Sequence, residues 1–360
     1  MSFQFHPLKV ASVDRETPDA VSISFEVPDK WKETYRFRQG QNIAIRMQLD
    51  GQEIRRNYSI CASPREARLR IGVKQIKGGR FSTYANTRLK AGDILEVMPP
   101  AGNFYTELDP KQQRTYVAFA AGSGITPVLS LIKTALEEEP LSQFLLVYGN
   151  RNRAYIMFRE ELEELKNKYL NRFQLIHVLS REKTDTALHD GRIDADKCRM
   201  IHQSILPLQS ADAFFICGPQ EMIFHLKDYL EALGISPEKI HYELFHADTS
   251  VGQQENTGQT NDTDLLQRAG VSIKLDGVVN SFEMPFQGAS ILQAALAEGI
   301  DLPFACKGGM CCTCRAHLDE GKVEMDRNYA LGPEELEAGF ILTCQSHPRS
   351  DRVFVNFDLR

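Results

Sequence analysis

The chain has 360 residues, 42% of them hydrophobic and 25% charged, and a net charge of −6. That length exceeds one ordinary core and predicts a multidomain globular protein. The charge argues against a dedicated nucleic-acid binder, which needs a basic footprint. No apolar run approaches the roughly 18 uninterrupted residues of a membrane helix.

Residues 1–10 lack a cationic head followed by a long apolar core, so they do not read as a signal peptide. Of the eight cysteines, five lie between Cys306 and Cys344, crowded like metal ligands rather than spaced like disulfide partners. The expectation is a cytoplasmic protein with reduced thiols.

Residues 1–110 form the first predicted module. Short β-like segments at 21–25, 42–46 and 68–73 are broken by turns at Arg38-Gln39-Gly40 and Asp50-Gly51, a rhythm that predicts a small antiparallel barrel or sandwich. Within it, Arg55-Arg56-Asn57-Tyr58-Ser59-Ile60 is strand-like, and the strand period places Arg56 and Tyr58 on one face. An arginine there can hold a phosphate while the aromatic ring covers a flat cofactor. Lys77-Gly78-Gly79-Arg80-Phe81-Ser82-Thr83 is a glycine turn at a helix start and a second candidate phosphate cradle. Taken singly, each run also fits an ordinary strand or turn.

From about residue 111 to 245 the rhythm changes. Strands are predicted at 116–120, 144–148, 173–179 and 213–217, and helices at 127–139, 158–169 and 220–233, which describes an open parallel sheet. Ala120-Ala121-Gly122-Ser123-Gly124-Ile125-Thr126-Pro127 joins the first strand to the first helix. Its glycines let backbone approach a pyrophosphate, and the helix start supplies free N–H groups. It departs from the G-x-G-x-x-G fingerprint by ending on Pro127, and a plain strand–helix turn is the lesser alternative. Cys217-Gly218-Pro219 ends another strand and should border the same crevice, although a buried core cysteine fits Cys217 equally well. Arg151 and Arg181 follow strands, and no acidic residue ends the strand at Tyr148, which favours NADPH over NADH. Tyr242-Glu243-Leu244-Phe245 reads as a short edge strand.

Residues 246–268 are polar and nearly without apolar period, the composition of a flexible linker. The last module, 269–360, begins with strands at 270–275 and 279–284 and a helix at 290–298. Then comes Cys306-Lys307-Gly308-Gly309-Met310-Cys311-Cys312-Thr313-Cys314, with Cys344 far downstream. Cys306, Cys311, Cys314 and Cys344 have the C-x₄-C-x₂-C…C spacing of plant-type [2Fe-2S] ligands. Structural zinc sites instead pair two short C-x₂₋₄-C units, and Cys344 has no close cysteine neighbour. Gly308 and Gly309 let the loop curl its N–H groups toward sulfur. Cys312 is off the ligand spacing, either a packing cysteine or a competing ligand, with packing the preferred reading.

Together these motifs resemble the ferredoxin–NADP reductase-like family, in particular its members with a C-terminal plant-type ferredoxin domain, and the resemblance spans nearly the whole chain. It implies an antiparallel β-barrel FAD domain, an α/β parallel-sheet NAD(P) domain and a β-grasp [2Fe-2S] domain. It further implies that Arg56 holds the flavin phosphate, Tyr58 lies against the isoalloxazine and Ser59 bonds near its N5. Gly79 and Ser82 would fall in the pyrophosphate turn, pointing to FAD. Gly122, Gly124, Thr126 and Pro127 match the pyridine-nucleotide motif, and Cys217 and Gly218 match the turn beside the hydride path. Ser180-Arg181 resembles the pair that reads the NADPH 2′-phosphate. Glu243 and Phe245 resemble the acidic and aromatic residues placed by the flavin, so Ser59, Cys217 and Glu243 are the implied catalytic set.

The implied electron order is NADPH, FAD, [2Fe-2S] and then an external di-iron oxygenase. Among the family the chain is similar to the reductase components that serve phenylacetyl-CoA epoxidase in phenylacetate catabolism. A reductase of another aromatic or ring-hydroxylating oxygenase shares these features. A non-enzymatic electron-carrier module would have no use for Arg56, Tyr58, Gly122, Gly124 and Cys217 together.

Overall fold

The computed structural model describes residues 4–245 and 267–359. It separates into two compact units, Phe5–Phe245 and a C-terminal unit within His246–Arg360. The segment read as a linker lies, up to residue 266, outside the described residues.

The first unit opens with β1 (His6–Thr17), β2 (Ala20–Glu26), β3 (Asn42–Leu49), β4 (Gln52–Ser59), β5 (Leu69–Lys74), α1 (Arg80–Thr87) and β6 (Ile94–Val97). These strands form one six-stranded sheet in the order β4-β3-β6-β1-β2-β5, antiparallel throughout. An Ile60–Ile71 bridge joins the strand ends at the sheet's edges, so the barrel reading holds over the sandwich. Early in β1, Leu8 and Val10 are buried while Pro7 and Lys9 are exposed, the period-two signature of a strand with one wet face. β2 is buried on both faces; α1 lies over this region and inserts Phe81 and Ala85 into the barrel core.

The chain continues through β7 (Thr115–Ala121), α2 (Ile125–Glu138), β8 (Gln143–Asn150), α3 (Arg159–Lys168), β9 (Phe173–Leu179), α4 (Ala195–Ser204), β10 (Ala213–Gly218), α5 (Gln220–Ala232) and β11 (Ile240–Leu244). The five strands are parallel in the order β11-β10-β7-β8-β9. Strand order therefore reverses beside β7, and the crevice beyond the carboxyl ends of β7 and β10 is the expected ligand position. β11 is an edge strand, as its composition predicted. α2 starts at Ile125, earlier than periodicity suggested, because a tight turn over Gly122–Gly124 runs straight into it. Pro127 then sits in the first turn, where its missing N–H costs nothing. α4 was not anticipated: its apolar stripe is only Cys198 and Ile201, too sparse for a periodic signal, and the Asp194 carboxylate that caps it bonds to Lys197 N at 2.9 Å.

The C-terminal unit comprises β12 (Arg268–Leu275), β13 (Val278–Pro285), α6 (Ile291–Ala297), β14 (Arg315–Glu320), β15 (Val323–Met325), α7 (Pro333–Glu337), β16 (Phe340–Leu342), β17 (Ser346–Pro348) and β18 (Arg352–Asn356). The main sheet runs β13-β12-β18-β14-β16, with β12 and β18 parallel at its centre and the other pairs antiparallel. α6 is set by a reciprocal capping box between Ser290 and Gln293 and buries Ile291, Leu292 and Ala295 against that sheet. This is the β-grasp arrangement.

Candidate functional site

On β4, Arg56 and Tyr58 share one face, with Arg56 exposed and Tyr58 half-buried. The Tyr58 ring packs on Phe81 at a centroid distance of 5.4 Å, and Phe81 belongs to the first turn of α1. The strand motif and the glycine-turn motif, read separately in sequence, are therefore neighbours. Gly79 is the N-cap of α1, and the Ser82 hydroxyl accepts from Ile76 N at 3.3 Å and donates to Gly79 O at 3.3 Å, holding the turn closed. A cationic side chain, an aromatic platform and a helix N-terminus on one surface fit a flat, phosphorylated cofactor such as FAD.

Ser59 lies on the other face of β4 and is buried. Its hydroxyl donates to Glu243 Oε2 at 2.9 Å, and Asn42 Nδ2 donates to Glu243 Oε1 at 3.4 Å. Asn57 Nδ2 in turn donates to Asn42 Oδ1 at 3.2 Å. Glu243 as a residue is half-buried, with its carboxylate at the enclosed end. Burial pushes its pKa up to about 7, against the lowering effect of the Ser59 and Asn42 hydrogen bonds. Asn42 carried no motif and was missed in the sequence; the register Asn42↔Ser59 is what puts it here.

Cys217 is paired in register with Ala120 on one side and Glu243 on the other. Its thiol is fully buried; burial, with the Glu243 charge adding, holds its pKa well above the usual thiol value. Cys217 is a member of the sheet core, as the buried-cysteine reading expects. A Cβ on Gly124 would stand 2.0 Å from the Cys217 carbonyl oxygen, so only glycine fits that approach. Gly122 has φ +54° and accepts at its carbonyl from Tyr148 OH at 2.9 Å. Gly218 is similarly crowded, its would-be Cβ 2.5 Å from Met222 Cε. The Thr126 hydroxyl donates to Ser123 O at 3.0 Å, and its methyl group faces Gly72 of the barrel.

Lys74 was also missed in the sequence. Its Nζ lies 3.6 Å from the Cβ position of Gly122, beside the glycine turn, and desolvation followed by the nearby Arg151 charge lowers its pKa despite Asp19. Arg151, Ser180 and Arg181 are all exposed at the ends of β8 and β9, joined by Arg181 N donating to Arg151 O at 2.8 Å and Ser180 N to Asn150 O at 2.9 Å. Phe245 is half-buried and packs on the nucleotide-domain core.

In the C-terminal unit, Gly308 N and Met310 N donate to Cys306 Sγ at 3.3 and 3.4 Å. The Cys306 sulfur interacts with Cys311 and Cys344, and Cys344 with Cys314, so the four spaced cysteines are mutual neighbours. Hydrogen bonds from Cys311, Cys344 and then the two backbone N–H groups hold Cys306 far below the usual thiol range. Four neighbouring cysteine sulfurs with backbone donors fit the donor set of a two-iron centre. The register Arg315↔Leu342 delivers Cys344 to Cys314, secured by Thr343 Oγ1 donating to Cys314 O at 3.0 Å. The Cys312 thiol points to packing: it donates to Ala330 O at 3.2 Å and lies against the unit's core.

Family models match along the chain in the order oxidoreductase FAD-binding domain over residues 7–105, oxidoreductase NAD-binding domain over 119–228, and 2Fe-2S iron-sulfur cluster binding domain over 273–349. The chain is 44% identical to a subunit of the 1,2-phenylacetyl-CoA epoxidase of Escherichia coli (strain K12), over 99% of this chain and 98% of that one. It is 34% identical to the ferredoxin reductase component of 3-ketosteroid-9-alpha-monooxygenase of Rhodococcus rhodochrous, over 97% and 96%. Phthalate dioxygenase reductase shares the fold at a TM-score of 0.58 and 24% identity, covering 98% of each chain. No helix among the described residues is long and apolar enough to cross a membrane.

Proposed function

This chain belongs to the ferredoxin–NADP reductase-like oxidoreductases with a C-terminal [2Fe-2S] domain, and we propose that it passes electrons from NADPH to the di-iron oxygenase of phenylacetyl-CoA epoxidation in the cytoplasm. The observation that carries the reading is the full-length 44% identity to a component of phenylacetyl-CoA epoxidase. Residues 1–110 would hold FAD, 111–245 the nucleotide and 269–360 the cluster, with 246–268 as the linker between them.

The chemistry of a bound flavin is to take an electron pair from nicotinamide and release electrons singly to an iron–sulfur centre. The chain's own residues bind and orient. Arg56 and the α1 N-terminus with Gly79 and Ser82 neutralise the flavin's phosphates, and Tyr58 supports its ring. Gly122, Gly124, Thr126 and Pro127 admit the nucleotide to the crevice, where Cys217 and Gly218 form the wall and Phe245 packs behind. Ser59 holds its hydroxyl proton on Glu243. A carboxyl with a pKa of about 7 can keep or give up a proton at working pH. Cys306, Cys311, Cys314 and Cys344 hold the cluster.

NADPH is preferred because Arg151, Ser180 and Arg181 are exposed and adjoin through backbone hydrogen bonds at the ends of β8 and β9, a position suited to reading a 2′-phosphate. The whole-chain likeness to a 3-ketosteroid monooxygenase reductase component supports a second reading, a reductase for another oxygenase. Anaerobic titration of the purified protein with NADPH and with NADH, followed by turnover with each candidate oxygenase, separates these readings. Missing flavin or iron–sulfur bands, or faster reduction by NADH, would overturn the first.

A further inference from the structure

The remote ligand Cys344 reaches the cysteine loop across a long stretch of chain, and something must hold the loop and the remote strand in register. Gln345, the next residue, is buried. Its Nε2 donates to Lys307 O at 3.0 Å and to Cys344 O at 2.9 Å, and stands 3.7 Å from Cys344 Sγ. Its Cγ lies 3.2 Å from the Cβ position of Gly309, whose φ is +75°.

Lys307, the residue on which this amide acts, has φ +55°, a left-handed conformation that a lysine adopts only when its surroundings impose it. The other side of the loop is fixed by Tyr329 N donating to Gly309 O at 3.0 Å. The backbone of Gln345 is itself anchored, its N–H to Leu342 O and its carbonyl to Asp326 N, both at 2.9 Å. The amide is therefore presented from a rigid turn. Its two hydrogens match the two carbonyls, and its nitrogen stays within 3.7 Å of the Cys344 sulfur.

We propose that Gln345 is a positioning residue for the iron–sulfur centre, cross-bracing the Cys306–Cys314 loop to Cys344 and placing an N–H dipole beside the Cys344 sulfur. This rests on the reading that those cysteines hold a [2Fe-2S] cluster. Donors near a ligand sulfur stabilise the reduced, more negative centre, and outer partners of metal ligands hold the metal in place.

The test uses the full-length holoprotein and two variants. Q345M keeps the volume and the packing on Gly309 but donates nothing; Q345E keeps the shape and replaces the donor with an acceptor facing two carbonyls. Three quantities are read: the half-life of the visible cluster bands under a chelator, the midpoint potential, and the g-values of the reduced centre. We expect cluster loss about tenfold faster or more in both variants, a lower midpoint potential and shifted g-values. Wild-type half-life, potential and g-values in Q345M would reduce Gln345 to space-filling and overturn the proposal. Should Q345M not yield folded protein by circular dichroism, the same result in Q345E overturns it. If the wild-type protein shows no iron–sulfur bands, the failure belongs to the cluster reading, not to the role of Gln345.

Discussion

The two sites handle charge differently. At the Ser59–Glu243–Cys217 site, burial drives an acid and a thiol toward their neutral forms. In the cysteine loop, hydrogen bonds from neighbouring thiols and backbone N–H groups draw Cys306 toward its anion in spite of burial, while Cys311 and Cys344, which share those bonds, are held above the usual thiol range. The first site is assembled from segments far apart in sequence; the second takes three of its four sulfurs from one short loop. A proton-handling site needs groups enclosed by tertiary packing, whereas a metal-holding site needs donors that the backbone itself can deliver.

The largest expected effect breaks the second site. Cys344→Ser should abolish the iron–sulfur bands and electron delivery to the oxygenase, since one of four ligands is lost; retained bands would reassign the ligand set. Next, Glu243→Gln removes the titrating group of the first site. Reduction by NADPH, followed by stopped flow, should slow by about 100-fold, and its pH dependence near 7 should disappear. The sign follows from the raised pKa: the folded protein holds the proton more tightly than the unfolded chain. Glu243 therefore contributes stability below its unfolded pKa, and that contribution is lost as pH rises through about 7. A thermal-unfolding series in wild type that lacks this slope, or keeps it in the variant, would contradict the assignment.

Gly124→Ala forces a methyl group against the Cys217 carbonyl, 2.0 Å away. It should cost about 1–3 kcal/mol of stability, measured by denaturant unfolding of the intact chain, and weaken nucleotide binding. The smallest effect is Arg181→Ala, expected to reduce kcat/KM for NADPH by about tenfold through loss of a charge-assisted contact while leaving NADH unchanged. Equal losses with both nucleotides would remove Arg181 from the 2′-phosphate patch.

Much of the fold was legible. Alternation in the first module and strand–helix rhythm in the second gave barrel and parallel sheet, because side-chain periodicity follows directly from backbone geometry. α4 escaped because Cys198 and Ile201 are too few to set a period, and β15, β16 and β17 escaped because three residues each cannot show an alternation. Arg56, Tyr58, Gly79 and Gly124 announced themselves by motif. Asn42, Lys74 and Gln345 did not, since a polar residue in a strand or after a cysteine carries no local signature of what lies across from it.

By itself the sequence determined the cysteine spacing, the order of the modules and the places of the glycine turns, all legible from local geometry. Only the tertiary structure decided that Ser59 and Asn42 share the Glu243 carboxylate, that the Tyr58 and Gly79 motifs adjoin, and that Gln345 spans the loop and Cys344. Those pairings depend on strand register and sheet order, and register is settled by the packing of whole faces rather than by any one residue.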